Sequence, residues 1–354
     1  MALVIHNAPS LENPFAWDMV DDNLTAFYEP YDELQNLTAF LFANYFITSV
    51  GGGIVSFLML YLVLFKTSGP LKQYRNMLFI CCITDLTYWA GDNFMWMKVK
   101  EKDGVFILKM EGLAGQLSFT YRSFTMAFFA WSSCFLNAML PVQFYFRYYS
   151  LTTNIVLSAS QTLGLCCVTL VLTLPTFFFT YASFTSSPNE RPGFNYGQLW
   201  YQEFPLPPLL FGDVRSIYQK GFFFWAGMSI AGSYLLMIHI GRKTLQFTSK
   251  MDASYSERTR RLQRQLTNFM FVQATIPLFV SVIPSLTIVI PAFLYIDTGR
   301  ICCYCVLATS WIPVLNPIIT IVVIVPFRRA VCGAFQKKSV VNSTTSNPSL
   351  TAIP

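Results

Sequence analysis

The chain of 354 residues is 54% hydrophobic and only 12% charged, with a mean hydropathy of +0.45. Soluble domains carry about 25% charged residues, so this composition excludes a pair of ordinary soluble domains and indicates a protein with several membrane spans. The net charge of +6 comes from basic residues scattered between apolar segments. It therefore predicts no nucleic-acid partner.

Seven apolar stretches are each long enough for a transmembrane helix, which needs about 20 residues. They cover residues 40–65, 77–97, 122–146, 159–183, 220–241, 266–292 and 301–325. Membrane helices tolerate the prolines inside several of these stretches, because neighbouring groups satisfy the freed carbonyls. The sequence predicts an all-α membrane protein: an N-terminal segment over 1–38, a seven-helix domain over 39–325 and a tail over 326–354.

The lysines and arginines predict the orientation of this bundle. Of 24 basic residues, 15 lie after the first, third and fifth spans or in the tail, and the first 38 residues contain none. Because basic residues concentrate on the cytoplasmic side of membrane proteins, we expect the N-terminus outside and the C-terminus inside. No basic region precedes a cleavable apolar segment, so we expect no signal peptide.

The outer segment and the cysteines give weaker signals. Asn23 and Asn36 begin glycosylation sequons in the predicted outside segment, although Asn36 is close to the expected membrane surface. None of the nine cysteines lies in 1–38 or 184–219, and no Cys/His spacing suggests a metal site. A local pair among Cys302, Cys303 and Cys305 is the most that we expect in disulfides. The sequence indicates no metal or cofactor.

Arg147 ends the third span, with Tyr148 directly after it. One interpretation is a basic group at the cytoplasmic mouth of the bundle that contacts a G protein or holds the resting state. The other is an arginine that extends its charged end into water to anchor the helix. Sequence alone leaves both open.

Asp85 lies near the middle of the second span, where a carboxylate is costly and therefore marks a functional site by default. Asn316, followed by Pro317 in the inner part of the seventh span, is its expected partner. Together they would form a polar cluster that couples the two spans. The alternative is a single protonated carboxyl group that makes one structural hydrogen bond.

A group of aromatic and polar residues is predicted to line an outward cavity for a small, largely apolar ligand. The alternative is that these aromatic residues lie at the membrane interface, where they concentrate anyway. The third span has no carboxylate in its outer half, which argues against a cationic amine, and the seventh has no lysine for a retinal Schiff base. The nine candidates are Trp89, Asp92, Asn93, Trp96, Tyr121, Arg122, Trp225, Tyr304 and Trp311.

The cytoplasmic segments carry further candidates. Ser254 and Glu257 have capping-box spacing and predict that the sixth helix begins in the cytosol. Arg258 and Arg261 on that extension would contact a G protein, anionic lipid headgroups, or both. After the seventh span, 325–335 predicts a short interfacial helix, on which Cys332 is a palmitoylation candidate.

Four stretches together resemble a known family. "LPVQFYFRYYSL", "PLLFGDVRS", "SERTRRLQRQLTNFMFVQATIPLFVSVIPS" and "WIPVLNPIITIVVIVPFRRAV" are similar to nematode serpentine chemoreceptors of the Str superfamily, most of all to class d (Srd). The resemblance implies a receptor in the plasma membrane of a sensory neuron, at the cilium. It would bind an odorant or another environmental chemical and signal through a heterotrimeric G protein.

The resemblance also assigns roles by position. Arg147 stands in for the arginine of the rhodopsin-like Asp-Arg-Tyr motif, with Phe146 where that motif has an acid, and Asn316 and Pro317 stand in for the start of Asn-Pro-x-x-Tyr, with Thr320 where it ends in tyrosine. The usual disulfide between the third span and the second outer loop cannot form, because 184–219 contains no cysteine.

Two other functions fit seven spans. A ligand-gated channel of the insect olfactory type would have its N-terminus inside, against the charge distribution. A small-molecule transporter would use Asp85 and Asp92 as an ion pathway, but the sequence lacks the matching halves typical of transporters. No HExxH, GxSxG or P-loop motif suggests an enzyme.

Overall fold

The structure is a computed structural model that describes residues 31–67, 69–153, 155–201, 203–204, 206–250 and 270–333. Its described part contains seven long helices, α1 to α7, and a short α8. The helices are α1 Gln35–Phe65, α2 Arg75–Met95, α3 Phe119–Thr153, α4 Ala159–Ser186, α5 Ile217–Lys250, α6 Met270–Phe293, α7 Ile301–Thr309 with Ile312–Val323, and α8 325–333.

Each long helix coincides with a predicted span. By length and composition alone, α1, α3, α4, α5 and α6 could cross a membrane, and the two parts of α7 qualify together. α2 has 21 residues and includes Asp85 and Asp92, whose charges lower its hydropathy. α3 packs against α2, α4 and α5, while α1 packs between α2 and α7. The protein is therefore a seven-helix membrane bundle with α3 near its centre.

Two helices depart from regular geometry. α7 bends by 40° between its two parts, at Ser310 and Trp311. α6 contains a π-helical segment, Leu278–Val282, between Pro277 and Pro284. Such segments often mark functional sites because the extra residue per turn frees backbone groups.

A three-stranded antiparallel sheet covers the outer end of the bundle. Its strands are β2 Met97–Lys102, β3 Val105–Met110 and β5 Leu209–Asp213, in the order β2-β3-β5. A smaller sheet pairs β1 Tyr31–Asp32 with β4 Glu203–Phe204. We call the three-stranded sheet the outer lid.

The turn between β2 and β3 is a tight Asp-Gly hairpin. Asp103 has φ 52° and Gly104 has φ 71°, the pair of positive values that a type I′ turn requires. The turn sets the register, in which Lys102 pairs with Val105 and Met97 with Met110.

The outer lid is buried on both faces. Phe106, Leu108 and Met110 pack on a core cluster with Tyr88 and Phe129 of the bundle. The alternate residues of the lid, Val105, Ile107, Leu209 and Phe211, join a second cluster with Leu37, Leu41, Tyr196 and Trp200. Because side chains alternate along a strand, one sheet seals the bundle on one side and carries the outer segments on the other.

Candidate functional site

Arg147 is buried at the cytoplasmic end of α3. Its side chain is 2% exposed, and its Nη1 donates a hydrogen bond of 3.2 Å to the hydroxyl oxygen of Tyr74. The guanidinium carbon lies 5.8 Å from the centre of the Tyr74 ring, and that ring is 5.9 Å from the ring of Phe146. An anchoring arginine keeps its charged end in water, whereas this one lies inside the protein. Tyr148 follows it and packs, half-buried, against the core cluster at this end of the bundle.

Tyr74 lies in the connection between α1 and α2. It ends a 3₁₀ segment, Gly69–Tyr74, that directly precedes α2. The contact therefore joins the start of α2 to the end of α3.

Asp85 and Asn316 are in direct contact. Asn316 Nδ2 donates a hydrogen bond of 3.0 Å to Asp85 Oδ1, which links the middle of α2 to α7. Pro317 is buried beside them, and the Thr320 hydroxyl donates to the Asn316 carbonyl oxygen at 2.8 Å. The Thr320 hydroxyl is thus bound within its own helix.

Asp92 lies in a second buried polar group nearer the outer lid. It is 5% exposed and neighbours Tyr45, Tyr88 and Ser310. The Tyr45 hydroxyl donates to the Met97 carbonyl oxygen at 2.7 Å. This group joins α1, α2, α7 and the first strand of the lid.

The tryptophan candidates mostly hold helices together. Trp89 Nε1 donates to the Ser49 carbonyl oxygen at 3.0 Å, and Trp311 Nε1 donates to Asn44 Oδ1 at the same distance. Trp96 stacks on Tyr45 with ring centres 6.0 Å apart. These three residues therefore pack α1 against α2 and α7.

The remaining outer candidates are dispersed. Tyr121 is 65% exposed and Tyr304 51% exposed, so both lie on the outside of the bundle rather than in an interior cavity. Trp225 Nε1 donates to the Leu172 carbonyl oxygen at 2.8 Å, between α5 and α4. Asn93 bonds within its own helix, with Nδ2 2.7 Å from the Trp89 carbonyl oxygen. Arg122 is 1% exposed.

The nine outer candidates are therefore not gathered in one cavity. A groove of about 620 Å³ opens between α2 and α3, and none of the nine lines it. Its lining is Ile83, Leu86, Thr87, Ala90, Gly91, Phe94, Phe124, Thr125, Phe128 and Phe129.

An ion-pair cluster fastens the edge of the outer lid. The buried Asp213 lies 3.1 Å from Arg191 Nε and 3.3 Å from Arg215 Nη1. It also accepts a hydrogen bond of 3.0 Å from the Tyr196 hydroxyl. Both arginines also pair with Asp103 of the hairpin turn, at 2.8 and 3.2 Å. Burial raises the pKa of Asp213 to about 6, although the charge of Arg191 acts in the opposite direction.

Glu101 connects the lid to the segment before α7. Its fully buried carboxylate accepts hydrogen bonds from the Gly104 amide at 3.1 Å and from the amide and hydroxyl of Thr298 at 3.0 and 3.1 Å. Burial raises the pKa of Glu101, and these hydrogen bonds oppose the rise.

All nine cysteines are free thiols, so the local pair considered among Cys302, Cys303 and Cys305 is not formed.

Some predicted sites lie at the margins of the structure. Asn36 is exposed in the first turn of α1, and Cys332 is exposed on α8. Asn23, Arg258 and Arg261 lie outside the described residues, as does the predicted start of the sixth helix.

The sequence reasoning assigned no site role to three further polar residues. Tyr74 lies in a connection whose contact with Arg147 depends on the tertiary fold. Gln143 and Gln273 lie on α3 and α6 and border the space between Asp85 and Arg147. An uncharged polar residue inside an apolar span was the available signal for both glutamines.

Comparison with known proteins places the chain in a family. Residues 41–333 match the family model described as "Serpentine type 7TM GPCR chemoreceptor Srd". The fold is similar to the crystal structure of squid rhodopsin, with a TM-score of 0.58 and 12% identity over 94% of this chain and 98% of that one. No curated protein matches the sequence. Because the family model covers most of the chain, the protein belongs to the Srd family of serpentine seven-transmembrane chemoreceptors.

Proposed function

We propose that the protein binds a small environmental chemical in the outer half of its helix bundle and activates a heterotrimeric G protein at the opposite end. We place it in the plasma membrane of a sensory neuron, at the cilium, with residues 1–38 outside the cell and 326–354 in the cytoplasm. The proposal rests on membership of a chemoreceptor family and on the arrangement of buried polar residues along the bundle axis.

The observation that supports it most is the buried contact between Arg147 and Tyr74. A guanidinium group inside a membrane bundle is costly unless it is bound, so its position at the cytoplasmic end indicates a selected role. In the resting receptor Tyr74 holds Arg147 inward. On activation Arg147 would leave Tyr74 and contact the G protein.

The Asp85–Asn316 pair supports transmission between the two ends. It joins α2 to α7 in the middle of the membrane, just inward of the bend at Ser310 and Trp311. A ligand that changes this bend would alter the contact, because the hydrogen bond fixes the position of α7 relative to α2. In this way an outer event reaches the cytoplasmic end.

An agonist screen tests the proposal. The receptor would be expressed at a confirmed surface level with a co-expressed G protein, and intracellular calcium recorded against volatile, water-soluble and pheromone-like compounds. We expect at least one compound to give a response that Arg147→Ala abolishes. Arg329→Ala is the matched control, since it removes an exposed arginine on α8 and should leave the response unchanged.

The alternative outcomes are distinguishable. A response that persists when G proteins are blocked would contradict G-protein coupling and indicate a channel. Transport of a labelled compound without any G-protein requirement would indicate a transporter.

A further inference from the structure

The groove between α2 and α3 lies in the outer half of the membrane. Its α2 wall runs from Ile83 to Phe94, a rise of about 16 Å at 1.5 Å per residue, and α2 ends at Met95, just before the lid. This length matches one leaflet of a hydrocarbon core about 30 Å thick. Ile83 and Phe124, which both line the groove, are exposed. Because α2 and α3 are membrane spans, the groove opens to lipid and not to water.

Small residues on one face of α2 leave the space for the groove. Thr87, Ala90 and Gly91 have the spacing i, i+3 and i+4, which places them on a shared helix face, and phenylalanine rings of α3 lie opposite. A Cβ atom at Gly91 would lie 3.4 Å from Cδ2 of Phe129, so a larger side chain there would fill the space over that ring. The groove volume of about 620 Å³ is within the range of roughly 300–1,000 Å³ that small-molecule sites occupy.

The outer lid makes the membrane the direct route to this groove. The lid covers the outer end of the bundle, and Phe106, Leu108 and Met110 pack on the core cluster beneath it. A ligand that entered the bundle from water would have to displace these side chains. A ligand dissolved in the outer leaflet reaches the groove without moving the lid.

The lining residues determine which ligand chemistry fits. None of the ten carries a charge, so a charged ligand would lose its hydration without gaining an ion pair. The Thr87 hydroxyl donates to the Ile83 carbonyl oxygen at 2.9 Å, and the Thr125 hydroxyl donates to the Tyr121 carbonyl oxygen at 2.8 Å. Because both hydroxyl protons are used, the two oxygens can only accept a further hydrogen bond. The groove therefore suits an elongated apolar molecule whose polar group is a donor.

Phe129 connects the groove to the interior of the bundle. Its ring lines the groove and also belongs to the core cluster beneath the lid. The ring centre lies 5.0 Å from that of Tyr88, whose hydroxyl donates to the Thr309 carbonyl oxygen at 3.4 Å. Thr309 directly precedes the bend of α7 at Ser310 and Trp311. A ligand that displaces the Phe129 ring would therefore move Tyr88 and alter this bend.

We propose that the groove between α2 and α3 is the ligand site of the receptor and that it takes an uncharged long-chain alcohol from the outer leaflet. The inference rests on the proposed function, because it names the ligand class and the site through which that function begins. The apolar chain lies along the α2 wall, and the hydroxyl group donates to Thr87 or Thr125.

Photolabelling of the purified full-length receptor in phosphatidylcholine nanodiscs tests the site. The probe is a long-chain primary alcohol with a diazirine at its methyl end, and mass spectrometry locates the adducts after irradiation. We expect adducts to concentrate in 83–94 and 124–129 and to fall several-fold with excess unlabelled alcohol. The matching methyl ether cannot donate a hydrogen bond and should compete less well.

Three results of this experiment would overturn the proposal. Adducts spread over all exposed helices, with no reduction by the unlabelled alcohol, would mean that the groove is ordinary lipid-facing surface. A phosphatidylcholine with a diazirine in its acyl chain that labels the groove and resists displacement by the alcohol would identify membrane lipid as the occupant. Equal competition by the ether and the alcohol would contradict the hydrogen bond to threonine.

A groove-filling variant gives a second test. Ala90→Trp places an indole ring in the groove, and because Ala90 is exposed the ring need not enter the core. We expect the adducts in both segments to fall several-fold. Val171→Trp is the matched control, since Val171 is exposed on α4 and does not line the groove. Undiminished labelling of Ala90→Trp would contradict the site, and the competition result in the unaltered receptor stands whether or not the variant folds.

Failure of this inference is distinguishable from failure of the proposed function. The labelling requires no G protein, so saturable labelling of a receptor that never gives a calcium response would count against the proposed function alone. An agonist response that Ala90→Trp leaves unchanged would overturn the groove as the ligand site and leave G-protein coupling intact.

Discussion

The hydrogen bond between Arg147 and Tyr74 depends on one hydroxyl group. Tyr74→Phe removes the acceptor of the hydrogen bond from Arg147 and leaves the ring beside Phe146. A hydrogen bond to a charged group stabilises by about 1.5–3 kcal/mol, so we expect basal G-protein activation to rise by roughly tenfold or more at an unchanged surface level. Tyr145→Phe is the control, since Tyr145 is an exposed tyrosine on α3, the helix that carries Arg147. A basal signal that stays at the unaltered level would show that Tyr74 does not restrain Arg147.

The Asp85–Asn316 pair allows a test by exchange. Asp85→Asn or Asn316→Asp alone replaces a carboxylate–amide contact with a pair of like groups, and each should shift basal or agonist-driven signalling. The exchanged double variant restores one carboxylate and one amide and should recover most of the original response. Measured in the same calcium assay, single variants without effect would reduce the pair to one structural hydrogen bond.

These side chains also show what the sequence can reveal about a site. Asp85, Asn316 and Arg147 stand out because charged and amide groups are costly inside a membrane, and the structure places all three inside the bundle. Tyr74 gives no such signal, since a tyrosine near a membrane surface is common. Tyr121 and Tyr304 lie on the outside of the bundle, because an apolar span predicts a helix but not which side of it faces the interior.

Among the elements, the outer lid is the one that the span analysis did not predict. Its signal was present in "MKVKEKDGVFIL", where Asp103 and Gly104 lie between two segments of strand-like residues. The search for helices assigned these residues to a loop because no stretch there is long enough to span a membrane. The strands exist because pairing with β5 and packing on the bundle satisfy their backbone and bury their apolar residues. Length, by contrast, made the helices predictable.

The hairpin turn of the lid is sensitive to an added methyl group. A Cβ at Gly104 would lie 2.8 Å from ring atoms of Tyr295 and 3.2 Å from the Ala292 carbonyl oxygen, at a φ of +71°. We expect Gly104→Ala to destabilise the purified receptor by about 1–2 kcal/mol or more and to lower its thermal midpoint by several degrees. The control is Gly51→Ala in α1, where nothing lies within 4 Å. A midpoint equal to or above that of the unaltered protein would show that the turn can relax.

The ion-pair edge of the lid predicts a pH dependence. Because burial raises the pKa of Asp213 to about 6 in the folded state, the folded protein binds this proton more tightly than the unfolded chain does. The part of the stability that depends on protonation of Asp213 is therefore greatest at acid pH and is lost as the pH rises through about 6. We expect the midpoint of the unaltered receptor to fall over this range relative to Asp213→Asn, and the difference to be constant above about pH 7. Parallel curves for the two proteins would contradict this assignment.

At the scale of the whole molecule, the lid lies outside the cell and Arg147 lies at the cytoplasmic end only if the bundle has the predicted orientation in the membrane. Basic residues favour the cytoplasmic side for the ends of α1, α3 and α5. We expect an epitope added before residue 1 to bind antibody on intact cells and one added after residue 354 to bind only after permeabilisation. The reverse pattern would favour the channel alternative, whose N-terminus is inside.

The outer lid has one further consequence, for how the receptor is made. Backbone pairing, packing and ion pairs hold the lid, its strands contain no cysteine, and all nine thiols of the chain are unpaired. Closing the outer surface therefore requires no oxidation step and no isomerase to correct mismatched bridges. Synthesis in a cell-free system that contains a reductant and supplied lipid is accordingly compatible with a fully formed lid.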